Sequence, residues 1–461
     1  MPFQKKMIED TLIKNAKKNP NKIAIICGAK RITFNELVNS IYSYSDYLGR
    51  IKKKQQIILN LKNSIDWVIY YFSIRFSGHT PVLTSSFMPT SKIKFIINEN
   101  KIKYIISDKK TKFNKTKHLK NFGFVKKQIE KKIKNTKERH EIIYTSGTTG
   151  NPKGVQLSLE KSITIAKMIN NIVKLQNKTK ELITVPFNHS DGLGRLKCFA
   201  LNGHTLILNE NPHNFGNLFS LLEKHKINGF FMVPSGIEIL KKMNFLDFKK
   251  ISSYLKFIEL GSEKINSRTL SWLRKTFKKT IIYYHYGLTE ASRSAFKVIK
   301  YGKKIPKFYK ASPGVKIKIL NKQNKICKKN EIGEIIIGGK TIADGYANNL
   351  LKDKFTYYGF RTGDLAKFFT KNQFILLGRA DNVKKINGLS VNLKEVENEI
   401  NKYPDIKKNI CKFVIGSSSN NYEIKTKYIS KIKIDEKRIQ KFLKNRLEYF
   451  KIPKSFEHAS I

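Results

Sequence analysis

The chain has 461 residues, 40% of them hydrophobic and 11% aromatic, which suits two or three globular domains with substantial cores and excludes a disordered or fibrous protein. No apolar run reaches the roughly 18 residues that a bilayer span requires, and the opening MPFQKKMIED has no signal-peptide core, so a cytoplasmic protein is expected. The formal charge of +55 invites a polyanion partner, yet only 12 of the 90 basic residues are Arg and lysines run the whole length beside Ile and Asn, so the charge reads as compositional bias with no specific nucleic-acid role.

Strand-like apolar runs occur at Ile23–Cys27, Ile57–Leu61, Pro81–Thr84 and Tyr104–Ser107, separated by helical patterns such as Phe34–Leu48 and Ile65–Phe76. Such alternation predicts parallel sheet covered by helices. From Lys109 to His140 the sequence is Lys-rich and poor in pattern and predicts an exposed connection. The alternation resumes with strands predicted at Leu182–Pro186, His204–Leu208, Gly229–Val233, Leu255–Leu260 and Ile281–Tyr284, a second doubly wound block. Beyond Pro313 the pattern turns to short strands, Val315–Leu320, Gly333–Gly338 and Phe374–Leu377, which predict a small β-barrel or β-layer. The tail from about Arg379 mixes helix and strand. Cys27, Cys198, Cys327 and Cys411 form no C-x-x-C pair, so a reducing compartment and no structural zinc are expected.

The run Tyr144–Val155, YTSGTTGNPKGV, has the composition of a phosphate wrapper. Gly147, Gly150 and Gly154 free the backbone so that successive N–H groups can converge on an anion. Ser146, Thr148 and Thr149 add hydroxyl donors, and Lys153 adds a mobile cation suited to a β- or γ-phosphate. With the apolar run Ile142–Tyr144 before it and a helical pattern after Ser158, the segment predicts a loop between strand and helix. It is not a Walker A loop, because Gly154 follows Lys153.

Four further clusters stand downstream. Tyr286–Gly287–Leu288–Thr289–Glu290 places an aromatic face, a hydroxyl and a carboxylate at the end of a predicted strand, where α/β sheets bind ligands. Tyr286 can stack on a purine, Thr289 can donate to a phosphate and Glu290 can hold Mg²⁺. Phe360–Leu365 sets Asp364 after a glycine turn, a carboxylate suited to ribose hydroxyls. Gly378–Arg379–Ala380–Asp381 opens the tail and leads to Lys384–Gly388. Pro186–Gly192 ends a strand with His189 near a turn.

In order and spacing these five clusters resemble the adenylate-forming (AMP-binding) superfamily of acyl-CoA synthetases, adenylation domains and luciferases, and the resemblance covers nearly the whole chain. It implies an α/β fold of two doubly wound αβ-layered subdomains plus a small β-barrel, residues 1–378, followed by a small mobile α+β domain, residues 379–461, that acts as a lid. It implies ATP contacts from Thr145 through Gly150, from Lys153 and from Gly287. Tyr286 and the Gly261–Ser262–Glu263 loop would enclose adenine, Asp364 and Arg379 would hold ribose, Thr289 would meet the α-phosphate and Glu290 would serve Mg²⁺. Asp381 falls at the hinge position, and His189 borders the acyl pocket in a P-x-x-H-x-x-G spacing similar to acyl-CoA synthetases. Amino-acid-activating domains usually carry Phe-Asp there, whereas Asn188 follows Phe187, which argues against an α-amino acid.

The implied reaction is attack of a carboxylate on the α-phosphorus of ATP, giving an acyl adenylate and pyrophosphate, then transfer to a thiol of coenzyme A or of a carrier-protein pantetheine. Lys153, Thr289 and Glu290 are the residues expected to carry it. The family's C-terminal Gly-Lys motif is not found after Lys451–Glu457, although that stretch resembles the approach to it. The alternative reading is therefore a weakened or inactive relative that binds nucleotide or acyl group without turnover.

Overall fold

The structure is a computed structural model that describes residues 7–108, 113, 116–119, 140–145, 151–209, 215–243, 247–347, 352–370, 372–380, 383–416 and 422–459. Helix α1 (Ile8–Lys18), the antiparallel pair β1 (Ile23–Cys27) and β2 (Lys30–Thr33), and α2 (Phe34–Gly49) open the chain. Helix α2 starts at a capping box, in which the Glu36 N–H donates to the Thr33 hydroxyl (3.2 Å) and the Thr33 N–H to Glu36 Oε2 (2.8 Å). Then follow β3 (Gln56–Asn60), α3 (Ile65–Phe76), β4 (Thr80–Leu83), α4 (Thr90–Asn100), β5 (Tyr104–Ser107), β6 (Lys117–His118), β7 (His140–Thr145), β8 (Lys153–Ser158) and α5 (Leu159–Val173).

The middle of the chain alternates strictly: β9 (Lys180–Ile183), α6 (Ser190–Asn202), β10 (Thr205–Leu208), α7 (Phe215–Lys224), β11 (Gly229–Met232), α8 (Pro234–Lys242), α9 (Phe248–Ser252), β12 (Phe257–Leu260), α10 (Ser267–Thr276) and β13 (Ile281–Tyr286). Antiparallel strands come next: β14 (Ala295–Ile299), β15 (Tyr309–Ala311), β16 (Val315–Leu320), β17 (Ile332–Gly339), β18 (Gly345–Tyr346), β19 (Phe355–Thr356), β20 (Gly359–Thr370) and β21 (Gln373–Arg379). The tail holds β22 (Val383–Ile386), β23 (Leu389–Asn392), α11 (Leu393–Ile400), β24 (Lys408–Ile415), β25 (Tyr422–Ile429), α12 (Glu436–Lys444) and β26 (Ser455–Ala459).

Two sheets form the large part. One has the order β18-β8-β7-β4-β3-β5-β6, and the other runs β16-β17-β20-β21-β15-β14-β13-β12-β11-β9-β10-β1-β2, with β19 on β20. The parallel strands β9 to β13 are apolar along most of their length because successive residues, which point to opposite faces of the sheet, are buried alike. Three expectations are corrected. The short strands form no closed barrel among the described residues; their ladder continues the large sheet through β15 and β14 into β13. Strand β1 leaves the first block and pairs in parallel with β10 of the second. The phosphate segment joins two antiparallel strands instead of a strand and a helix, since β8 folds back on β7 before α5 begins. The turnback is close because Gly154 lacks a Cβ, which would come 2.8 Å from Ile142 and 2.9 Å from Tyr144. The expected connection from Lys109 to His140 lies mostly outside the described residues.

Buried carboxylates tie the layers together. Glu141 on β7 accepts hydrogen bonds from Tyr71 (2.6 Å) and Arg75 (2.9 Å) of α3 and from Ser162 (2.9 Å) of α5, and pairs with Lys197 of α6. The smaller C-terminal domain has its own core, including Val391, Val396, Ile400, Ile439 and Leu443. It docks on the large domain through a buried ionic quartet: Lys92 of α4 lies 2.6 Å from Glu395 and 3.2 Å from Glu448, and Lys451 lies 2.8 Å from Glu395 and 2.9 Å from Glu448. Lys451 is thus fully buried and engaged.

Burial alone would raise the Glu448 carboxyl, but Lys451 and Lys92 bring it down to about 2. A depressed carboxylate contributes stability at neutral pH that disappears as pH falls from its unfolded value towards the folded one. Removing one member of a buried pair leaves an uncompensated charge and costs about 3–5 kcal/mol. Lys92→Met is therefore expected to cut hydrogen-exchange protection in α11 at least tenfold while β10 keeps its protection. Equal protection in both proteins would show that the quartet does not hold the small domain.

Candidate active site

The phosphate hairpin contributes Thr145 at the end of β7 and Lys153 at the start of β8, which are directly opposed in the ladder. Ser146, Gly147, Thr148, Thr149 and Gly150 lie outside the described residues. Strand β18 pairs with β8, placing Tyr346 opposite Val155 and Gly345 opposite Gln156. The Asp344 N–H donates to the Gln156 carbonyl (2.8 Å), and Asp344 pairs with Lys161 (2.7 Å). The same segment then reaches the turn after β13: the Ala343 N–H donates to the Glu290 carbonyl (2.8 Å), and the Tyr346 hydroxyl donates to Glu290 Oε1 (2.5 Å). One short strand therefore fixes Glu290 relative to the mouth of the hairpin.

The second group sits at the carboxyl ends of β12 and β13. Tyr286 closes β13, its ring packed against Tyr309 and Phe374 and its hydroxyl donating to Asp364 Oδ2 (2.6 Å). Burial, reinforced by the Asp364 charge, pushes the Tyr286 phenol well above its ordinary value, so it remains a neutral donor. Asp364 faces Arg379 across the β20–β21 ladder, and Arg379 Nη1 lies 3.2 Å from Asp364 Oδ1. Gly287 is pressed against the chain, since a Cβ there would come 2.4 Å from the Arg293 nitrogen. Thr289 and Glu290 follow, half-buried.

At the end of β12, Gly261 lies under His285, where a Cβ would meet the imidazole at 2.2 Å. Ser262 takes a left-handed conformation, φ +70°, uncommon for a residue with a side chain. Glu263 receives the Ser235 N–H (2.9 Å) and, from the small domain, the Gly388 N–H. Burial raises the Glu263 carboxyl, an effect these donors and Lys385 oppose. The β22–β23 hairpin is thereby seated on the Gly261–Glu263 turn. It carries Lys385, half-buried, whose ammonium burial lowers while the charges of Asp191, Asp364 and Glu263 act in the opposite direction.

The third group is the turn before α6. His189 stands at the position before the first turn of the helix, its side chain partly exposed, and its Nδ1 lies 3.4 Å from Asp191 Oδ2. Behind it, Arg293 is fully buried: Nε pairs with Glu259 (2.7 Å), Nη1 donates to the Ser190 carbonyl (3.2 Å) and Nη2 to the Asp191 carbonyl (3.0 Å).

The chain thus brings together Tyr286, Asp364 and Arg379, sets the Gly261 turn beside His189, and links Lys153 to Glu290 through β18. Asp381 lies outside the described residues. Tyr346, Arg293 and Asp191 escape the sequence reading. Asp191 lies inside a quoted cluster and Arg293 three residues past another, so proximity to a motif is the only signal; Tyr346 has none.

In fold this is a mixed α/β protein of the adenylate-forming kind, with a large N-terminal domain and a smaller C-terminal one. The chain belongs to the AMP-binding enzyme family, whose model matches residues 12–347. It is 30% identical over 282 residues to a D-alanine--D-alanyl carrier protein ligase of Lactococcus lactis subsp. lactis, a match covering 58% of this chain and 54% of that protein. The matched stretch thus spans about half of that relative. Among solved structures, a double mutant of o-succinylbenzoate CoA synthetase (MenE) from Bacillus subtilis bound to its product analogue OSB-NCoA superposes with a TM-score of 0.85 at 20% identity, over 97% of this chain and 94% of the other. The amide bond synthetase McbA from Marinactinospora thermotolerans superposes with a TM-score of 0.86 at 14% identity, over 98% and 96%.

Hydrogen bonds to charged groups contribute about 1.5–3 kcal/mol. Tyr286→Phe, which removes the donor to Asp364, is expected to weaken AMP binding about tenfold or more in a calorimetric titration. Unchanged affinity would mean that Arg379 suffices to fix Asp364.

Proposed function

We propose that the protein activates a carboxylate by joining it to the α-phosphate of ATP, releasing pyrophosphate, and passes the acyl group to a thiol. The observation that carries this reading is the β18 bridge. It ties Lys153 on the phosphate hairpin to Glu290 on the turn after β13, beside the Tyr286–Asp364–Arg379 group, in a chain of the AMP-binding family.

A carboxylate attacking phosphorus needs no base, so the residues act by positioning and by neutralising charge. In this reading Lys153 meets the phosphates, the Thr289 hydroxyl donates to the α-phosphate, and Asp364 with Arg379 holds the ribose. Among the described residues no group of three His, Cys, Asp or Glu forms an all-protein metal cage. Magnesium bound with ATP needs only one or two carboxylates plus phosphate oxygens, and Glu290 fits that role; the ion would offset phosphate charge. The seating of the β22–β23 hairpin on the Gly261–Glu263 turn supports a transfer step made with the small domain docked, the acceptor being coenzyme A or a carrier-protein pantetheine.

Two features favour a carboxylate without an α-ammonium group. Asn188 stands after Phe187, and the buried carboxylate nearest His189, Asp191, already faces Arg293 (3.5 Å) and His285 (3.3 Å).

The test is carboxylate-dependent ATP–pyrophosphate exchange with short, medium and aromatic acids and with D-alanine. Exchange with an acid lacking an amino group is expected, and Lys153→Ala and Glu290→Ala should each lower it by about 10²–10³. Exchange with D-alanine alone would overturn the substrate assignment. Bound ATP without exchange for any acid would favour the non-catalytic binder.

A further inference from the structure

Asp191 is 5% exposed and lies between the two halves of the candidate site. On one side, Oδ2 lies 3.4 Å from His189 Nδ1, the side chain at the acyl pocket. On the other, the same oxygen accepts a 2.6 Å hydrogen bond from the hydroxyl of Ser262, in the turn expected to meet adenine. Oδ1 faces His285 Nε2 at 3.3 Å and Arg293 Nη1 at 3.5 Å. Glu259 Oε1 lies 2.9 Å from the other ring nitrogen of His285, Nδ1. Lys385 of the docked small domain adds its charge to that of Arg293.

Burial alone would raise the Asp191 carboxyl, but His189 and His285, with the Arg293 charge, hold it well below its usual range. It is thus an ionised buried acceptor whose bonds are directional. Ser262 depends on it, because a serine at φ +70° has no steric reason to stay there. The bond to Asp191 supplies that reason.

We propose that Asp191 is a positioning residue that couples the two substrate sites: one carboxylate orients the His189 imidazole at the acyl pocket and pins Ser262 of the nucleotide turn, so that filling either site pre-organises the other. The inference rests on the adenylation reading. Its chemistry is binding alone, and the two ligands it links are an adenine nucleotide and a carboxylate.

The closing experiment measures AMP affinity by calorimetry on the full chain, with and without a saturating carboxylate identified by exchange. Two outcomes are expected in the wild-type protein: AMP binds, and the carboxylate strengthens its binding several-fold. Ser262→Ala and Asp191→Asn should each weaken AMP binding about tenfold and abolish the strengthening, and the double variant should be no worse than Asp191→Asn. Ser262→Gly, which suits the left-handed backbone but has no hydroxyl, should behave as Ser262→Ala does. It also keeps the test open if Asp191→Asn fails to fold. In exchange assays, His189→Gln should raise the carboxylate KM in the wild-type background and add nothing in Asp191→Asn.

Additive effects, persistent strengthening in Asp191→Asn, or wild-type affinity in Ser262→Gly would overturn the coupling. Absence of AMP binding in the wild-type protein would overturn the adenylation reading itself, and the coupling with it. AMP binding without linkage would overturn the coupling alone.

Discussion

The interaction on which the site depends is the buried carboxylate of Glu259, placed by β12 in the middle of the large sheet. An ionised carboxylate without partners would be costly in the interior. Arg293 (2.7 Å), Arg195 (2.9 Å) and His285 (2.9 Å) converge on it, and Arg195 also pairs with Glu181 on β9. The three partners come from different elements: Arg195 from α6, His285 from β13 and Arg293 from the turn beyond it. Compensating this one charge fixes the relative positions of the helix that begins at His189, the strand that ends at Tyr286 and the turn that carries Glu290. The site loops inherit their geometry from a charge that none of them contains.

A second constraint joins the two sheets. The phosphate hairpin belongs to one sheet and the aromatic and acidic groups to the other, so no strand of either sheet alone can set their separation. β18 does so by leaving the antiparallel extension, pairing with β8 and returning, with Tyr346 at its end holding Glu290. Two residues of strand suffice because backbone bonds from Ala343 and Asp344 lead into them.

The parallel strands were legible because a strand buried on both faces is a continuous apolar run bounded by turn residues. Ile23–Cys27 and Tyr104–Ser107 match the structure residue for residue, and Val315–Leu320 does so in the antiparallel part. Their neighbours were not legible, since pairing is decided by packing that a local pattern does not encode; hence β1 joins β10. The phosphate segment was recognisable by composition but misplaced in topology, because Val155–Ser158 alternates weakly and the helix after it is real. Tyr286, Asp364 and Arg379 stood out as residue types next to glycine turns. Asp191 and Arg293 did not, as what they touch lies far along the chain: Ser262 is 71 residues from Asp191, and the Ser190 carbonyl is 103 from Arg293.

The excess of base over acid bears on this arrangement. With 90 Lys and Arg against 35 Asp and Glu, acids are the scarcer partner, and several of them are buried: Glu141, Glu181, Asp191, Glu259, Asp364 and Glu395. Each meets a cation there. Because these carboxylates are balanced by cations where they stand, the surplus of Lys and Arg is left on the surface. The same surface draws nucleotides and other anions towards the protein at low ionic strength without selecting among them. In the proposed reading, selection would belong to the groups that Glu259 and Asp191 hold, and these are shielded from salt by burial in a way that surface lysines are not. The two contributions therefore separate by ionic strength: the encounter weakens as salt rises, while discrimination between one bound anion and another persists.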